Sequence, residues 1–456
     1  MSVYDIVLAN ALVVTMDDER RIIEHGAVAI KGNRIAGVGG TSEFPADCAT
    51  RYIDCSGQVI IPGLVDAHNH LFQCIGRGLG DGMALWKWLS SFMLPIAAEI
   101  NADEAESIVR LAAYESLSSG TTTIIDNHYA PSDAETVIRV AQAIEDVGMR
   151  GVIAQGVFGP FSAIARDNNL SDRLFKRSIQ EELGHIRDAM LARQGKQVSV
   201  WPSPINMIYN ELELVEGCIE LAREFNTKWQ THVSEAEVDP EIFLKAYGAR
   251  PLEWLAQRGL LDQRSCFAHA IWLDEQEIEL AGTQGCAIAH NPMSNQYLAS
   301  GAMPLRALRE AGATIGLGAD GAAGHLMDMF QIMRQMIYVQ RLHTLSPEAS
   351  HAHEAFEMAT VEGARLAGID AGQLLPGKLA DIAVVSLDAP HLTPCFDVVA
   401  NLVYCASGRD VTLTVVNGKV VYDKADRSLQ DTQTIMEKAR HYSRQLVERL
   451  EIAQPA

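Results

Sequence analysis

Short runs of hydrophobic residues, separated by polar and glycine-containing turns, occur towards both ends of this chain. The first 58 residues contain short β-rich runs joined by tight turns, with Gly32-Asn33 as a hairpin signal between two of them. Strand character returns at 376–385 and again at 411–421. The simplest arrangement pairs strands from both ends of the chain. We therefore predict a small β-sandwich domain made of residues 1–58 and 374–425.

Between these ends, short apolar runs alternate with stretches that have helical periodicity, such as 102–118 and 240–257. Eight β-then-α units predict a (β/α)8 barrel of the TIM type over residues 59–373, and a doubly wound sheet is the main alternative. An amphipathic pattern predicts a C-terminal helix within residues 426–456. The predicted barrel strands are 59–66, 121–126, 151–158, 198–202, 228–233, 265–269, 285–290 and 314–319.

Composition narrows the class of protein without fixing its fold. A length of 456 residues exceeds the usual size of a single core, and 48% hydrophobic with 21% charged residues is ordinary for a globular protein. The net charge of −21 argues against nucleic acid or an anionic membrane surface as a partner. Eight scattered cysteines without a C-x-x-C motif fit a reducing compartment. We expect a cytoplasmic protein with a small-molecule substrate.

Residue types that bind metals recur where the predicted strands end, at the edge where barrel active sites form. His68 and His70 close the first strand, and their spacing of two places both imidazoles on one face. His232 and Asp320 end two further strands. Three imidazoles and one carboxylate can hold one divalent metal and leave room for water, whose pKa zinc would lower toward about 7.

Two more polar residues at this edge are candidates for proton transfer. Glu235 lies three residues beyond His232, so the chain must leave the strand there, and we expect Glu235 at the pocket mouth as a proton shuttle. His269 could orient the attacking water or polarise the substrate. A second His-x-His pair, His351 and His353, starts a predicted helix, where a spacing of two does not share a face, so we expect both to face solvent.

These motifs resemble the amidohydrolase superfamily, in the branch that contains cytosine, guanine and S-adenosylhomocysteine deaminases and the s-triazine chlorohydrolases. The resemblance covers essentially the whole chain. The segments that carry it are 62–70, 231–235, 268–270, 289–295, 318–321 and 376–381.

The resemblance implies one zinc ion, or alternatively ferrous iron, held by His68, His70, His232 and Asp320. Strand four, 198–202, lacks the lysine of the two-metal branches. It further implies Glu235, His269 and Asp320 as the catalytic residues for hydrolytic attack on an sp² ring carbon. Ammonia, an amine or halide then leaves, and ammonia leaves well only when protonated. Relatives of this kind are usually homodimers or larger.

Substrate contacts are expected from the loops that follow the strands. The Gln73 amide could pair with a ring edge, and Trp86 could stack on a planar ring. Segment 201–207 lacks the histidine that contacts ribose in adenosine-type members, which favours a free base over a nucleoside. The substrate-binding candidates are Gln73, Arg77, Trp86, His128, Asn206 and His325.

The leading hypothesis is a metal-dependent deaminase of an amino-substituted heterocycle, such as a guanine-like base, a pterin or an aminotriazine. Alternatives are a dechlorinase or N-dealkylase of s-triazines and a nucleoside deaminase of the S-adenosylhomocysteine or methylthioadenosine type. A last alternative is that the barrel is not an enzyme and acts as a binding or scaffold protein.

Overall fold

The computed structural model describes residues 3–321 and 324–450, which form an α/β fold. None of the helices in these ranges is both long and apolar enough to cross a bilayer. The strands are β1 Tyr4–Val14, β2 Ile22–Lys31, β3 Arg34–Gly40, β4 Ala49–Asp54, β5 Gln58–Pro62, β6 Leu64–His70, β7 Thr121–His128, β8 Arg150–Val157, β9 Val198–Pro204, β10 Trp229–Val233, β11 Ser265–His269, β12 Ala287–His290, β13 Thr314–Leu317, β14 Asp320–Gly321, β15 Ile382–Ser386, β16 Val411–Val416 and β17 Lys419–Asp423.

Helices lie between most of the strands of the middle segment. They are α1 Leu85–Trp88, α2 Leu94–Glu99, α3 Ala102–Ser118, α4 Ala134–Val147, α5 Ala163–Asp167, α6 Ile179–Arg193, α7 Leu212–Glu224, α8 Asp239–Tyr247, α9 Pro251–Gln257, α10 Glu275–Thr283, α11 Pro292–Tyr297, α12 Leu305–Ala311, α13 Met329–Thr344, α14 Ala352–Glu357, α15 Gly363–Ala367, α16 Val398–Cys405 and α17 Thr432–Arg449.

Strands from both ends of the chain form one mixed sheet. Within the described residues its order is β17-β16-β15-β5-β1-β2-β3, and β4 pairs with β1. The predicted hairpin at Gly32-Asn33 joins β2 to β3, which pair antiparallel. At the other end, β16 and β17 pair antiparallel around Asn417 and Gly418, whose φ angles of 53° and 75° form a left-handed turn. Strand β5 pairs with β1 and β15 in this same sheet.

The middle of the chain forms two parallel sheets, with strand orders β14-β6-β7-β8-β9 and β10-β11-β12-β13. A parallel bridge between Asn206 and His232 connects the chain after β9 to β10. Almost every residue of these strands is buried, as expected for parallel strands covered on both faces. The carboxyl ends of β6, β10 and β11 therefore lie together inside the protein.

The predicted helix over 240–257 is two helices. Gly248 has a φ of 77° and ends α8, and Pro251 begins α9. A left-handed glycine followed closely by proline is a strong helix terminator, and the apolar periodicity hid this break. His351 and His353 are exposed, as predicted.

The backbone is left-handed at several non-glycine residues around the site edge. The φ angles are 48° at Ser234, 71° at His269, 50° at Ala270 and 62° at Asp320. Such conformations are unfavourable for residues with a Cβ and cluster at functional sites, where the surrounding structure enforces them. Here they turn the chain sharply at the strand ends and direct the polar side chains into one cavity.

Candidate metal centre and active site

Three imidazoles and one carboxylate meet where β6 and β10 end and where the short β14 begins. The ligand atoms of His68, His70, His232 and Asp320 all lie within 4.8 Å of one another, and all four residues are buried. The Nε2 atoms of His70 and His232 are 3.1 Å apart. Asp320 Oδ1 lies 3.3 Å from His70 Nε2 and 3.5 Å from His68 Nε2. These distances suit ligands that share one ion.

The opposite nitrogen of each imidazole is held by an oxygen acceptor, which places the ring proton on Nδ1 and directs the Nε2 lone pair into the cluster. His68 Nε2 has no hydrogen-bond partner among the described residues. Converging lone pairs repel one another unless a cation lies between them, so the donor set fits a divalent metal. The Nδ1 contacts are His68 to Gln230 Oε1 at 2.9 Å, His70 to the Asn127 carbonyl at 2.6 Å and His232 to the Ile205 carbonyl at 2.6 Å.

The protonation states suit metal binding. Burial and the neighbouring His68 lower the pKa of His70 to about 3, and the same causes hold the pKa of His232 well below its usual value. Burial acts to raise the pKa of Asp320, but His269 and His68 outweigh it and hold that pKa well below its ordinary range. Neutral imidazoles with an ionised carboxylate are the forms that bind zinc.

Glu235 and His269 lie directly beside the cluster. Glu235 Oε2 is 3.4 Å from His269 Nε2, which is 3.5 Å from Asp320 Oδ2. Glu235 was expected at the pocket mouth, but it is only 5% exposed because the left-handed Ser234 folds the chain back over the site. Burial, together with the charges of Asp320 and Asp239, raises the pKa of Glu235 well above its usual value. Glu235 is therefore a buried acid next to the metal ligands.

His269 is oriented from its far side. Its Nδ1 lies 2.9 Å from Asn295 Oδ1, so the Nδ1 proton is donated to the amide and Nε2 faces the cavity. Burial lowers the pKa of His269 to about 4. A neutral imidazole with Nε2 unprotonated can accept a hydrogen bond from the acid form of Glu235.

A cavity with about 730 Å³ of empty volume, part of it open to solvent, lies next to these groups, and aromatic rings form part of its lining. Among the described residues, its lining contains no lysine or arginine. Its aromatic residues are Trp86, Trp88, Tyr129, Phe158, Tyr209 and Tyr297. Aromatic walls without a cation suit a flat, uncharged ligand.

Four of the predicted substrate residues line this cavity, namely Gln73, Trp86, Asn206 and His325. Gln73 Nε2 donates to the Tyr129 hydroxyl at 2.9 Å, while its buried Oε1 has no partner in the described part of the chain. That oxygen is available to accept a hydrogen bond from a ligand.

The prediction that Arg77 and His128 contact the substrate is corrected by the structure, because neither residue lines the cavity. Arg77 follows a 3-10 turn that carries it away from β6, and its guanidinium pairs with Glu115 at 2.8 Å. His128 ends β7 but is fully buried behind the site, with its ring 5.6 Å from the ring of Phe72. A position near a strand end did not determine the direction of either side chain.

Several cavity residues carried no sequence signal. Tyr129, Tyr209 and Asp239 reach the cavity through loop conformations that local patterns do not specify. Trp88 packs with its ring 5.7 Å from the ring of Phe92 and also lines the cavity. An aspartate four residues beyond a candidate acid, as Asp239 is to Glu235, was the one available hint.

Comparison with known families decides the class of this protein. The amidohydrolase family matches residues 59–421, which is most of the chain. The chain belongs to the amidohydrolase family. The match includes the whole metal cluster and the Glu235 and His269 pair, so the resemblance inferred from the sequence motifs is confirmed.

Relatives of this amidohydrolase include several deaminases. It is 32% identical over 447 residues to 5′-deoxyadenosine deaminase of Methanosarcina mazei, covering 98% of this chain and 99% of the relative. A solved adenosine deaminase from Xanthomonas campestris with bound zinc has a TM-score of 0.88 at 26% identity, covering 98% and 99% of the two chains. Zinc-bound atrazine chlorohydrolase from Arthrobacter aurescens has a TM-score of 0.87 at 25% identity, covering 96% and 100%. The expectation of a hydrolase of the deaminase class is confirmed.

Proposed function

We propose that this amidohydrolase uses one zinc ion to remove an amino group, as ammonia, from an uncharged nitrogen heterocycle. The observation that carries the proposal is the His68, His70, His232 and Asp320 cluster with the buried acid Glu235 at its side. A metal-ligand set alone fits many hydrolases. A protonated carboxyl group beside it is what the loss of ammonia requires, because ammonia leaves readily only after its nitrogen is protonated.

The chain's own groups divide the work between them. A divalent ion held by the four ligands supplies a Lewis acid that lowers the pKa of nearby water. Asp320, ionised, can accept a proton from the attacking water. Glu235, whose pKa burial raises well above its usual value, can donate a proton to the departing amino nitrogen. His269 Nε2, fixed through Asn295, faces the cavity 3.4 Å from Glu235 Oε2 and helps to place that carboxyl group.

The lining supports a neutral ring as the substrate. A carboxylate or phosphate tail would enter a cavity without a lysine or arginine among its described lining residues, and burying such an unpaired charge is unfavourable by about several kcal/mol per ion. An aminopurine or its uncharged nucleoside, a pterin and an aminotriazine all satisfy this condition. The adenosine-type relatives favour an adenine-like ring, whereas the absence of a histidine in segment 201–207 favours a free base.

The fold proposed for this chemistry is a (β/α)8 barrel over residues 59–373. The short β14 follows β13 by two residues and pairs with β6, and the Ala319 N–H donates to Asp66 Oδ1 at 3.0 Å, which supports closure between the last and first barrel strands. We keep residues 1–58 and 374–425 as a small β-sandwich, to which β5 Gln58–Pro62 adds a strand across the proposed boundary, and we keep a C-terminal helix within 426–456, of which α17 Thr432–Arg449 lies among the described residues. Assembly into dimers or larger homo-oligomers remains a prediction, to be tested by light scattering.

A second candidate function is hydrolysis of an s-triazine with halide or alkylamine as the leaving group. The likeness to atrazine chlorohydrolase over 96% of this chain favours it. Chloride needs no proton to leave, so this reaction would make little use of the raised pKa of Glu235.

The test is ammonia and chloride release by zinc-loaded protein from aminopurines, their uncharged nucleosides, aminopterins, aminopyrimidines and amino- and chlorotriazines. We expect ammonia from one ring class and no turnover of the same ring carrying a carboxylate tail. Chloride release alone would favour the second function. No release of ammonia, alkylamine or chloride by protein containing one zinc per chain would contradict both.

A further inference from the structure

The single carboxylate of Asp239 binds the main chain at Glu235 and also the indole of Trp86, which lines the cavity. Its Oδ2 accepts the N–H groups of Glu235 at 3.0 Å and Ala236 at 2.8 Å. Its Oδ1 accepts the indole N–H of Trp86 at 3.2 Å. Asp239 is only 1% exposed, so these three donors replace the water that would otherwise solvate it.

The segment that carries Glu235 is fixed at two points. On one side, the Ser234 carbonyl accepts the N–H groups of Ile271 at 3.1 Å and Trp272 at 3.0 Å from the loop after β11. On the other side, Asp239 binds the next two N–H groups. The first contact anchors the strand end, and the second holds the main chain of Glu235 itself.

Trp86 belongs to the helix that covers the cavity. Its ring packs edge-to-face on Tyr209, with the ring centroids 6.3 Å apart. The segment before this helix has glycines at positive φ, with 84° at Gly78, 79° at Gly80 and 73° at Gly82. Glycine-rich connections restrain a helix weakly. The hydrogen bond to Asp239 therefore attaches this covering helix to the chain segment of the catalytic acid.

We propose that Asp239 is a positioning residue that couples the placement of Trp86 over the cavity to the placement of Glu235 beside the metal ligands. Asp239 touches no reacting atom in this proposal. The proposal rests on the proposed function only because it takes Glu235 as the proton donor. Breaking the Trp86 contact should loosen the segment of Glu235 and lower turnover, beyond any weakening of substrate binding.

The coupling is tested without substrate by amide hydrogen exchange in zinc-loaded protein. Trp86→Phe keeps an aromatic ring but removes the indole donor, and we expect the amides of Glu235 and Ala236 to exchange at least about fivefold faster. Trp254→Phe, which alters a tryptophan outside the cavity lining, is the matched control and should leave this exchange unchanged. Unchanged exchange in Trp86→Phe would overturn the coupling, whether or not any ring is deaminated.

Indole spectroscopy and a double-mutant cycle complete the test. The protein has six tryptophans, and the indole signal missing from ¹⁵N spectra of Trp86→Phe identifies Trp86. Asp239→Asn should shift that signal and, on the ring found by the ammonia assay, lower kcat by about 10- to 100-fold while zinc content stays constant. The double variant should lose about as much kcat as Asp239→Asn alone. Losses that multiply, or a loss confined to KM, would overturn the coupling.

Discussion

Replacing Gln230 by leucine should weaken zinc binding through a residue that never touches the metal. Gln230 is fully buried, and its Oε1 accepts the Nδ1 proton of His68 at 2.9 Å. Zinc needs the Nε2 lone pair of His68, so the ring proton must stay on Nδ1 in the metal-bound state. Without zinc, the proton can move to Nε2, which faces Asp320 at 3.5 Å. Loss of the acceptor therefore raises the free energy of the zinc-bound state and leaves that of the zinc-free state unchanged.

The expected loss of zinc affinity follows from this difference between the zinc-bound and zinc-free states. A buried N–H group without an acceptor is unfavourable by about 1–3 kcal/mol, and second partners of zinc-bound histidines typically contribute about 10- to 100-fold in affinity. We expect Gln230→Leu to raise the zinc Kd by about that factor. Competition against a chromophoric zinc chelator measures the Kd, and thermal unfolding of the zinc-free proteins checks that both fold equally well.

A matched substitution separates this reasoning from a general packing effect. Gln230→Glu keeps an acceptor oxygen near the same place, so zinc should bind within about threefold of the wild type or more tightly. Equal zinc affinity in the wild type and Gln230→Leu, or equal weakening in both variants, would refute the assignment of the His68 proton to Nδ1.

The other predictions concern the ligands, the acid and a remote carboxyl group. His68→Ala should lose zinc and turnover together, as measured by metal analysis and ammonia release, and a zinc-free variant with full turnover would contradict this. Glu235→Gln should keep zinc but lower kcat by about 10²–10⁴-fold, and near-normal turnover would remove Glu235 from the reaction. Burial raises the pKa of Glu362 from 4.5 to about 7 despite Arg309 at 3.2 Å, so its contribution to stability is full below about pH 4.5 and is lost as pH rises toward 7. Glu362→Gln should therefore be more stable than the wild type by up to about 3 kcal/mol at pH 8 but not at pH 4.5. Urea unfolding measures this difference, and equal midpoints for the two proteins at both pH values would contradict it.

Strand ends were the most predictable part of the site. Short apolar runs predicted β10 and β11 to within one residue, because parallel buried strands are apolar on both faces. The predicted strand 59–66 was wrong in its bounds, since Gln58–Pro62 is a strand of the sheet made by the chain ends and the strand that carries His68 and His70 is Leu64–His70. Of the polar residues at the ends of such runs, His70, His232 and His269 face the common cavity. This explains why the metal-ligand candidates lie together in the structure.

The other features of the site depend on chain conformations that the pattern of hydrophobic and polar residues does not encode. Arg77 and His128 lie at comparable distances from strand ends, but a 3-10 turn and tight packing direct them elsewhere. The depth of Glu235 depends on a left-handed residue, Ser234, and no residue type at that position predicts it. Asp239 meets Trp86 across 153 positions of sequence, so only the folded chain reveals that contact.

Zinc reconstitution tests the proposed metal-dependent deamination most directly. Protein stripped of metal is titrated with zinc while ammonia release is followed on the ring found by the substrate assay. We expect no release without metal and a linear rise that stops at one zinc per chain, because the described residues offer a single set of four ligands. Ammonia release that persists without metal, or that needs two ions per chain, would contradict a single zinc held by His68, His70, His232 and Asp320.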